Sequence, residues 1–408
     1  MYASTMEQKD VLISGAGIAG PAVAYWLRTA GFRPTVVERA PAPRPGGQAV
    51  DLRGAGRTIT ERMGLLDRVR AVALEQEGFA YVDARGRITA RLPADAFGGE
   101  GIVSEIEVLR GDLCRVLYEA SLPETEYLFD DTITGMEQDA RGVTVTFEKA
   151  SSRRFSLVVG ADGLHSAVRR LAFGPDAACL RPFQLYIAWY TAPAEIDLGG
   201  WFLMYNAPGG LVAGARPGRD RDEIKVMLSF RAEPETYERL GRADQQELLE
   251  KRFAGAGWEV PRLLDAMRKA TDFYFDSVGQ VHLEEWSQGR VVLLGDAGYC
   301  PSPMSGLGTS LALVGAYILA GELVAAAGDH VIAFPRYEQR MRTYVAQGQK
   351  LPPGGVRGFA PTSAFMIHMR AASMRWMTRW PMRRLVSGQF TKADAIELPS
   401  YAGVALAA

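Results

Sequence analysis

The stretch SGAGIAGPAVAYWLRTAGF, which starts at Ser14, confines the chain to few folds, because its glycines fall at Gly15, Gly17 and Gly20. The apolar run DVLISG before it reads as a buried strand. A helix is expected from about Pro21 to Ala30, stopped by Gly31. RPTVVER is a second strand with Glu38 at its tip, 18 residues after Gly20. Strand, glycine turn, helix and acid-tipped strand form one βαβ unit of the kind that binds a dinucleotide. Gly15 permits the tight turn, Gly17 lets a pyrophosphate approach the backbone, and Gly20 lets helix and strand pack closely. Ala16, Ile18 and Ala19 complete a loop whose amides and helix dipole attract phosphate. Glu38 can accept hydrogen bonds from an adenosine ribose and repels a 2′-phosphate, so the resident nucleotide is NAD- or FAD-like and not NADP.

After Arg39 the segment APAPRPGGQAVDLRGAG is rich in Pro and Gly and suggests an excursion over a ligand, where a plain NAD-binding fold would continue into helix and strand. EIEVLRGDLCRVL starts a helix near Asp112, with Arg110 at its entry. There the guanidinium either meets a phosphate or ribose, or stands solvated at the surface. VTVTFE alternates as a strand, and FSLVVGA is a buried strand with Asp162 and Gly163 at its C-terminal end, where ligands gather in parallel sheets. Between about Arg181 and Phe230 the chain turns β-rich and aromatic, with Gly, Pro and Asn turns, as an antiparallel lobe does. RVVLLGDA is again a buried strand, carrying Gly295 and Asp296. It leads into GLGTSLALVGAYILAGELVAAAG, which is long enough for a membrane span but reads as the central helix of a soluble fold. The Met- and Trp-rich tail FMIHMRAASMRWMTRWPMRRLVSGQF is expected to pack that side onto the body; a membrane-surface helix is the alternative.

The 408 residues suffice for two or three lobes, and a net charge of −1 gives no basic surface for nucleic acid. Cys114, Cys179 and Cys300 are odd in number and far apart, and the four histidines lack metal-ligand spacing. With no secretory leader recognisable, a cytoplasmic protein with reduced thiols and no metal is expected. Monomer and homodimer both remain open.

Three separated motifs, GAGIAG with VVER, VVGADGLHSAVR, and VVLLGDAGYCPSPMSGLG, together resemble the class A flavoprotein monooxygenases. This is the aromatic-hydroxylase family with the p-hydroxybenzoate hydroxylase fold, and the likeness covers most of residues 9–345. The spacing after Asp296 is most similar to the tetracycline-modifying and polyketide-hydroxylating members. The resemblance implies an α/β fold: a Rossmann-like FAD-binding domain (1–72, 95–180 and 275–345), an inserted antiparallel β-sheet substrate domain (73–94 and 181–274) and a C-terminal helical segment (346–408). It implies resident FAD, NADPH or NADH as transient reductant, and O2. The substrate would be an aromatic or polycyclic small molecule, oxygenated through a flavin C4a-hydroperoxide. Gly15, Gly17 and Gly20 would then hold the pyrophosphate, and Glu38 with Arg39 the adenosine ribose. Arg110, Asp162 and Gly163 would bind the dinucleotide, Asp296 the ribityl or pyrophosphate region, and Gly306, Leu307 and Gly308 the pyrimidine edge of the flavin. Tyr299 stands where many members have His, and Ser310 where many have Asn.

Tyr186, Trp189, Trp201, Met204, Met227 and Pro303 are the substrate-pocket candidates, about half of which can face a ligand if strands alternate. With the oxygen transfer carried by the flavin, no catalytic side chain is assignable. His165, Tyr186, Tyr190, Tyr205 and Arg216 are the groups a phenol deprotonation would call on, and each also reads as packing or surface. Other flavin chemistry (epoxidase, halogenase, reductase) and a non-redox flavin-binding protein are the alternatives; a Gly-Trp-x-Trp-x-Ile-Pro halogenase signature is absent.

Overall fold

The computed structural model describes residues 9–96, 104–233, 235–377, 393 and 395–401. Its first sheet has six strands in the order Ser287–Gln288, Val291–Leu293, Leu157–Gly160, Asp10–Ser14, Arg33–Glu38 and Glu126–Phe129. All neighbours are parallel except the Ser287–Leu293 hairpin. Leu12 sits between Val158 and Thr35, so the apolar runs read from the sequence are central strands buried on both faces. Helix Ala19–Thr29 packs against helix Gly308–Ala325, with the Trp26 and Tyr317 rings edge to face at 5.1 Å. The latter helix is long and apolar enough to cross a membrane, and every residue from Thr309 to Leu323 is buried inside the protein. VTVTFE lies in a separate antiparallel sheet of Ile133–Asp139, Gly142–Phe147 and Arg153–Phe155.

The second lobe is a seven-stranded sheet in the order Tyr274–Val281, Leu180–Pro193, Glu223–Arg231, Leu211–Pro217, Trp201–Ala207, Gly78–Val82 and Ile88–Pro93. Two expectations are corrected here. The sheet is mixed, because Trp201–Ala207 runs parallel to Gly78–Val82, two strands joined by a long excursion through the other lobe. Tyr274–Val281, expected in the FAD domain from residue 275, pairs with Leu180–Pro193 and belongs to this sheet.

Alternation gives the sheet two buried faces. Helices Arg242–Phe253 and Val260–Lys269 cover one, packing on Ala188, Tyr190, Val226 and Leu228. The other carries Phe79, Tyr81, Ile187, Met204, Val212 and Met227 and meets Met304 of the first lobe. Helix Ala364–Met377 closes part of this face with Ala371 and Met374. Its Phe365, Met369 and Trp376 are exposed, so the Met- and Trp-bearing side does not pack wholly onto the body as the tail's composition suggested. Trp380 and the rest of that tail up to Phe390 lie outside the described residues.

Candidate FAD and substrate site

The glycine loop is built for close approach. Gly15 has φ +103°, and a Cβ there would stand 2.5 Å from the Ala161 carbonyl oxygen. A Cβ on Gly20 would overlap the Gly15 carbonyl. Helix Ala19–Thr29 begins with no side-chain cap on Ile18 and no acid in its first turn, so its leading amides are left to an outside anion. Arg110, at the start of helix Arg110–Ser121, reaches the same place: a Cβ on Gly17 would lie 3.2 Å from its Nη2. Glu38 braces the loop, accepting the Ala16 and Ala40 amides at 2.8 Å each. Two carboxylate oxygens have about four acceptor sites, so ribose hydroxyls can still be accommodated. Arg39 is exposed at the lip beside it.

The third motif arrives from the other side. Gly295, at φ +65°, is wedged between the N-terminal ends of two helices: its Cβ would lie 3.2 Å from the Ala19 Cβ and 3.7 Å from the Ala312 Cβ. Helix Gly308–Ala325 also starts without a side-chain cap, from Leu307, and without an acid in its first turn. Gly306 is left-handed at φ +66°, and a Cβ there would stand 3.1 Å from Asp51 Oδ2. Asp51 is held by Arg53 at 3.1 Å. Asp296 keeps a solvent-accessible carboxylate, yet its pKa is raised by the protein that surrounds it, which is the signature of a group at the floor of a cleft. Two acid-free helix N-termini thus converge at Gly295, an arrangement that suits the phosphates and the electron-rich pyrimidine edge of one dinucleotide.

Both departures from the family pattern have structural work. Tyr337 donates to the Leu293 carbonyl at 3.1 Å, so the 2.9 Å contact between the two phenols is donated by Tyr299. Burial pushes the Tyr299 phenol up to about 12. Ser310 donates to the Arg53 carbonyl at 3.0 Å and faces Gly56 so closely that a Cβ there would stand 2.6 Å from its Oγ, which leaves no room for a longer side chain. Tyr299→Phe is expected to lose about 1 kcal/mol of stability, the usual worth of one buried hydrogen bond, with FAD affinity unchanged; thermal melts with and without FAD check both.

Asp162 proves to be a brace. Its carboxylate accepts the Ala167 and Val168 amides at 2.8 and 3.1 Å and the Ser14 and Ser166 hydroxyls. It thereby ties the end of the first strand to helix Ala167–Phe173, leaving Gly163, with open space at φ +80°, facing outward. Sequence reasoning missed Arg169, which is wholly buried and donates to the carbonyls of Ala297 (2.9 Å) and Leu164 (2.6 Å) and to Asp176 (2.6 Å). It joins the second motif to the third.

Alternation sorts the substrate candidates. Trp189, Met204 and Met227 lie on the face that meets the FAD lobe, and Pro303 precedes Met304, which packs there. Tyr186 and Trp201 are corrections: both belong to the helix-covered side. Tyr186 stacks with Phe230 and Phe275 and its hydroxyl meets the Glu235 backbone, while Trp201 lies under the Arg91 guanidinium. Tyr190 donates to the Leu263 carbonyl and Tyr205 accepts the Gly257 amide, also on that side. Arg216 is different. It pairs in register with Lys225 and points to the FAD-lobe face, where it packs on the Phe202 ring at 4.9 Å and forms an ion pair with buried Glu107. Its Nε has no hydrogen-bond partner among the described residues, and burial lowers its pKa to about 10. Charges inside apolar strands, such as Glu107 in EIEVL, were the available signal.

His165 contacts Asp276 at 2.9 Å, and the carboxylate raises its pKa. A raised folded-state value means this contribution is complete below the unfolded value of 6.5 and fades as pH rises through the folded one. His165→Gln is expected to remove that loss of stability above pH 6.5, read by melts across pH 5–9.

Comparison with known proteins supplies the family. The family described as FAD binding domain matches residues 8–348. A flavin-dependent monooxygenase from an unknown prokaryotic organism is 38% identical over 396 residues, 96% of this chain and 99% of its own. The chain belongs to the class A flavoprotein monooxygenases. An FAD-dependent monooxygenase of Sarocladium schorii, asL6, shares 34% identity over 96% of the chain and 97% of its own length. The crystal structure of tetracycline destructase Tet(55) superposes with a TM-score of 0.79 at 36% identity, covering 96% of this chain and 99% of that one.

Proposed function

We propose that this FAD-dependent monooxygenase takes electrons from NADPH or NADH and, with O2, oxygenates an aromatic or polycyclic small molecule. The observation that carries this reading is the apolar sheet face bearing Trp189, Phe202, Met204 and Met227, set toward the FAD lobe with the buried cations Arg216 and Lys225 on it. FAD, when bound, supplies two-electron reduction and oxygen activation. The chain's own residues position and exclude water. The helix starts at Ala19 and Gly308 hold negative charge along the dinucleotide. The aromatic and Met side chains keep water off this face, and the free Nε of Arg216 orients an acidic oxygen of the substrate, such as an enol or phenol. Similarity to tetracycline destructases over nearly the whole chain makes a tetracycline the first compound to try.

The test is a screen of polycyclic phenols and enols for faster NADPH oxidation, followed by mass analysis. A ligand that speeds oxidation and gains one oxygen atom supports the proposal. Flavin that neither nicotinamide reduces, with or without ligand, would return the protein to a non-redox role.

A further inference from the structure

The outer face of helix Ala364–Met377 points away from the sheet and from the residues proposed to hold FAD and substrate. Its inner face rests on the sheet, and Arg370 is fixed there by the Asn206 side chain and the Phe359 carbonyl, over the Tyr81 ring at 4.3 Å. Phe365, Met369 and Trp376 turn away, 72, 56 and 65% exposed. Their spacing of four and seven residues puts them on one side, in a row about 16 Å long. His368 and Arg375 are exposed alongside. The surrounding sequence is charge-segregated: residues 343–393 hold eight Lys or Arg and no Asp or Glu, in a chain of net charge −1.

We propose that this face docks on the surface of an anionic phospholipid bilayer. The helix would lie in the interface, with Phe365, Met369 and Trp376 at the headgroup–acyl boundary and the exposed His368 and Arg375 beside them toward lipid phosphates. Charge complementarity selects this occupant. A nucleic acid or acidic protein would be held by the charge alone and leave three large apolar side chains without a use. A second copy, meeting face to face about a two-fold axis, would set the same cationic segment against itself. Because the inner side of this helix covers the proposed substrate face, docking places that cover at a surface where apolar small molecules concentrate.

The test is co-sedimentation of the full-length protein with vesicles of equal parts phosphatidylcholine and phosphatidylglycerol. Binding is expected at low salt, weakened roughly tenfold or more at about 0.5 M NaCl, where surface charge is screened, and on pure phosphatidylcholine. The triple variant Phe365→Ser, Met369→Ser, Trp376→Ser is expected to bind roughly tenfold or more weakly with unchanged melting temperature and FAD content. Failure to pellet with the anionic vesicles overturns the proposal, as does pelleting that ignores the triple substitution. Sedimentation velocity showing a dimer that the triple variant dissociates would hand the face to a second copy.

Discussion

Purified Gly15→Val protein is expected to be colourless and to melt well below the parent. The φ of +103° at Gly15 is one that a side-chain-bearing residue adopts only at a cost of about 1–3 kcal/mol. The new Cβ would also stand 2.5 Å from the Ala161 oxygen and 2.9 Å from the Asp162 Cα. Those are backbone atoms of a central strand end, so neither can swing aside, and overpacking of this kind adds about 1–3 kcal/mol. Relief requires the turn to move, and it carries Ala16 to Gly20 with it. FAD affinity is expected to fall by roughly two orders of magnitude, about 2.8 kcal/mol. Gly163→Ala is the control. Its φ is also positive, at +80°, but nothing lies within 4 Å of the added Cβ, so only the conformational cost remains. Equal flavin content in Gly15→Val and parent protein would mean that this turn does not cradle the pyrophosphate.

Replacing Arg169 is expected to be the most damaging single change outside the glycine loop. The side chain is wholly buried and spans three acceptors, Ala297 O, Leu164 O and Asp176. Arg169→Ala strands two carbonyls and a carboxylate and leaves a large void, for a loss of about 3–5 kcal/mol. In a domain of this size that corresponds to a fall of roughly 6–20 °C in melting temperature. Arg169→Lys should rescue little, because an ammonium lacks the planar fork that reaches acceptors on different segments. Since Ala297 follows Asp296 directly, both variants should also bind FAD more weakly. A lysine variant with parental melting temperature and FAD affinity would contradict this account.

Much of the dinucleotide half was legible because its constraints are local. Gly15, Gly17, Gly20 and Glu38 declare a turn, a close approach and an acid within one short segment, and the strands ending at Ser14, Gly160 and Leu293 carry the apolar runs Val11–Ile13, Leu157–Val159 and Val291–Leu293 because they are buried on both sides. The sheet lobe was legible as β-rich, but its register was not. Tyr186 and Trp189, or Trp201 and Met204, differ by an odd number of residues and therefore face opposite ways; only pairing decides which way is inward. Asp162 and Arg169 were obscure for a different reason. The contacts that tie them across the fold, to the Ser14 hydroxyl and the Ala297 carbonyl, come from distant segments, and a charged residue with such contacts looks the same in sequence as a solvated one. Tyr299 and Ser310 stood out in sequence only as departures from a family pattern, with no structural role to be read from them. Their hydroxyls instead hold Tyr337 and the Arg53 carbonyl.

The central claim is that one extended FAD runs from the Gly15–Gly20 loop to the start of the helix at Gly308. A crystal structure of the protein with FAD tests it most directly. Density for the pyrophosphate beside Gly17 and Arg110, continuing past Gly295 to a tricyclic ring against Gly306–Gly308, is the predicted result. Density that ends at the glycine loop, or a ring lodged away from Gly306–Gly308, would contradict it.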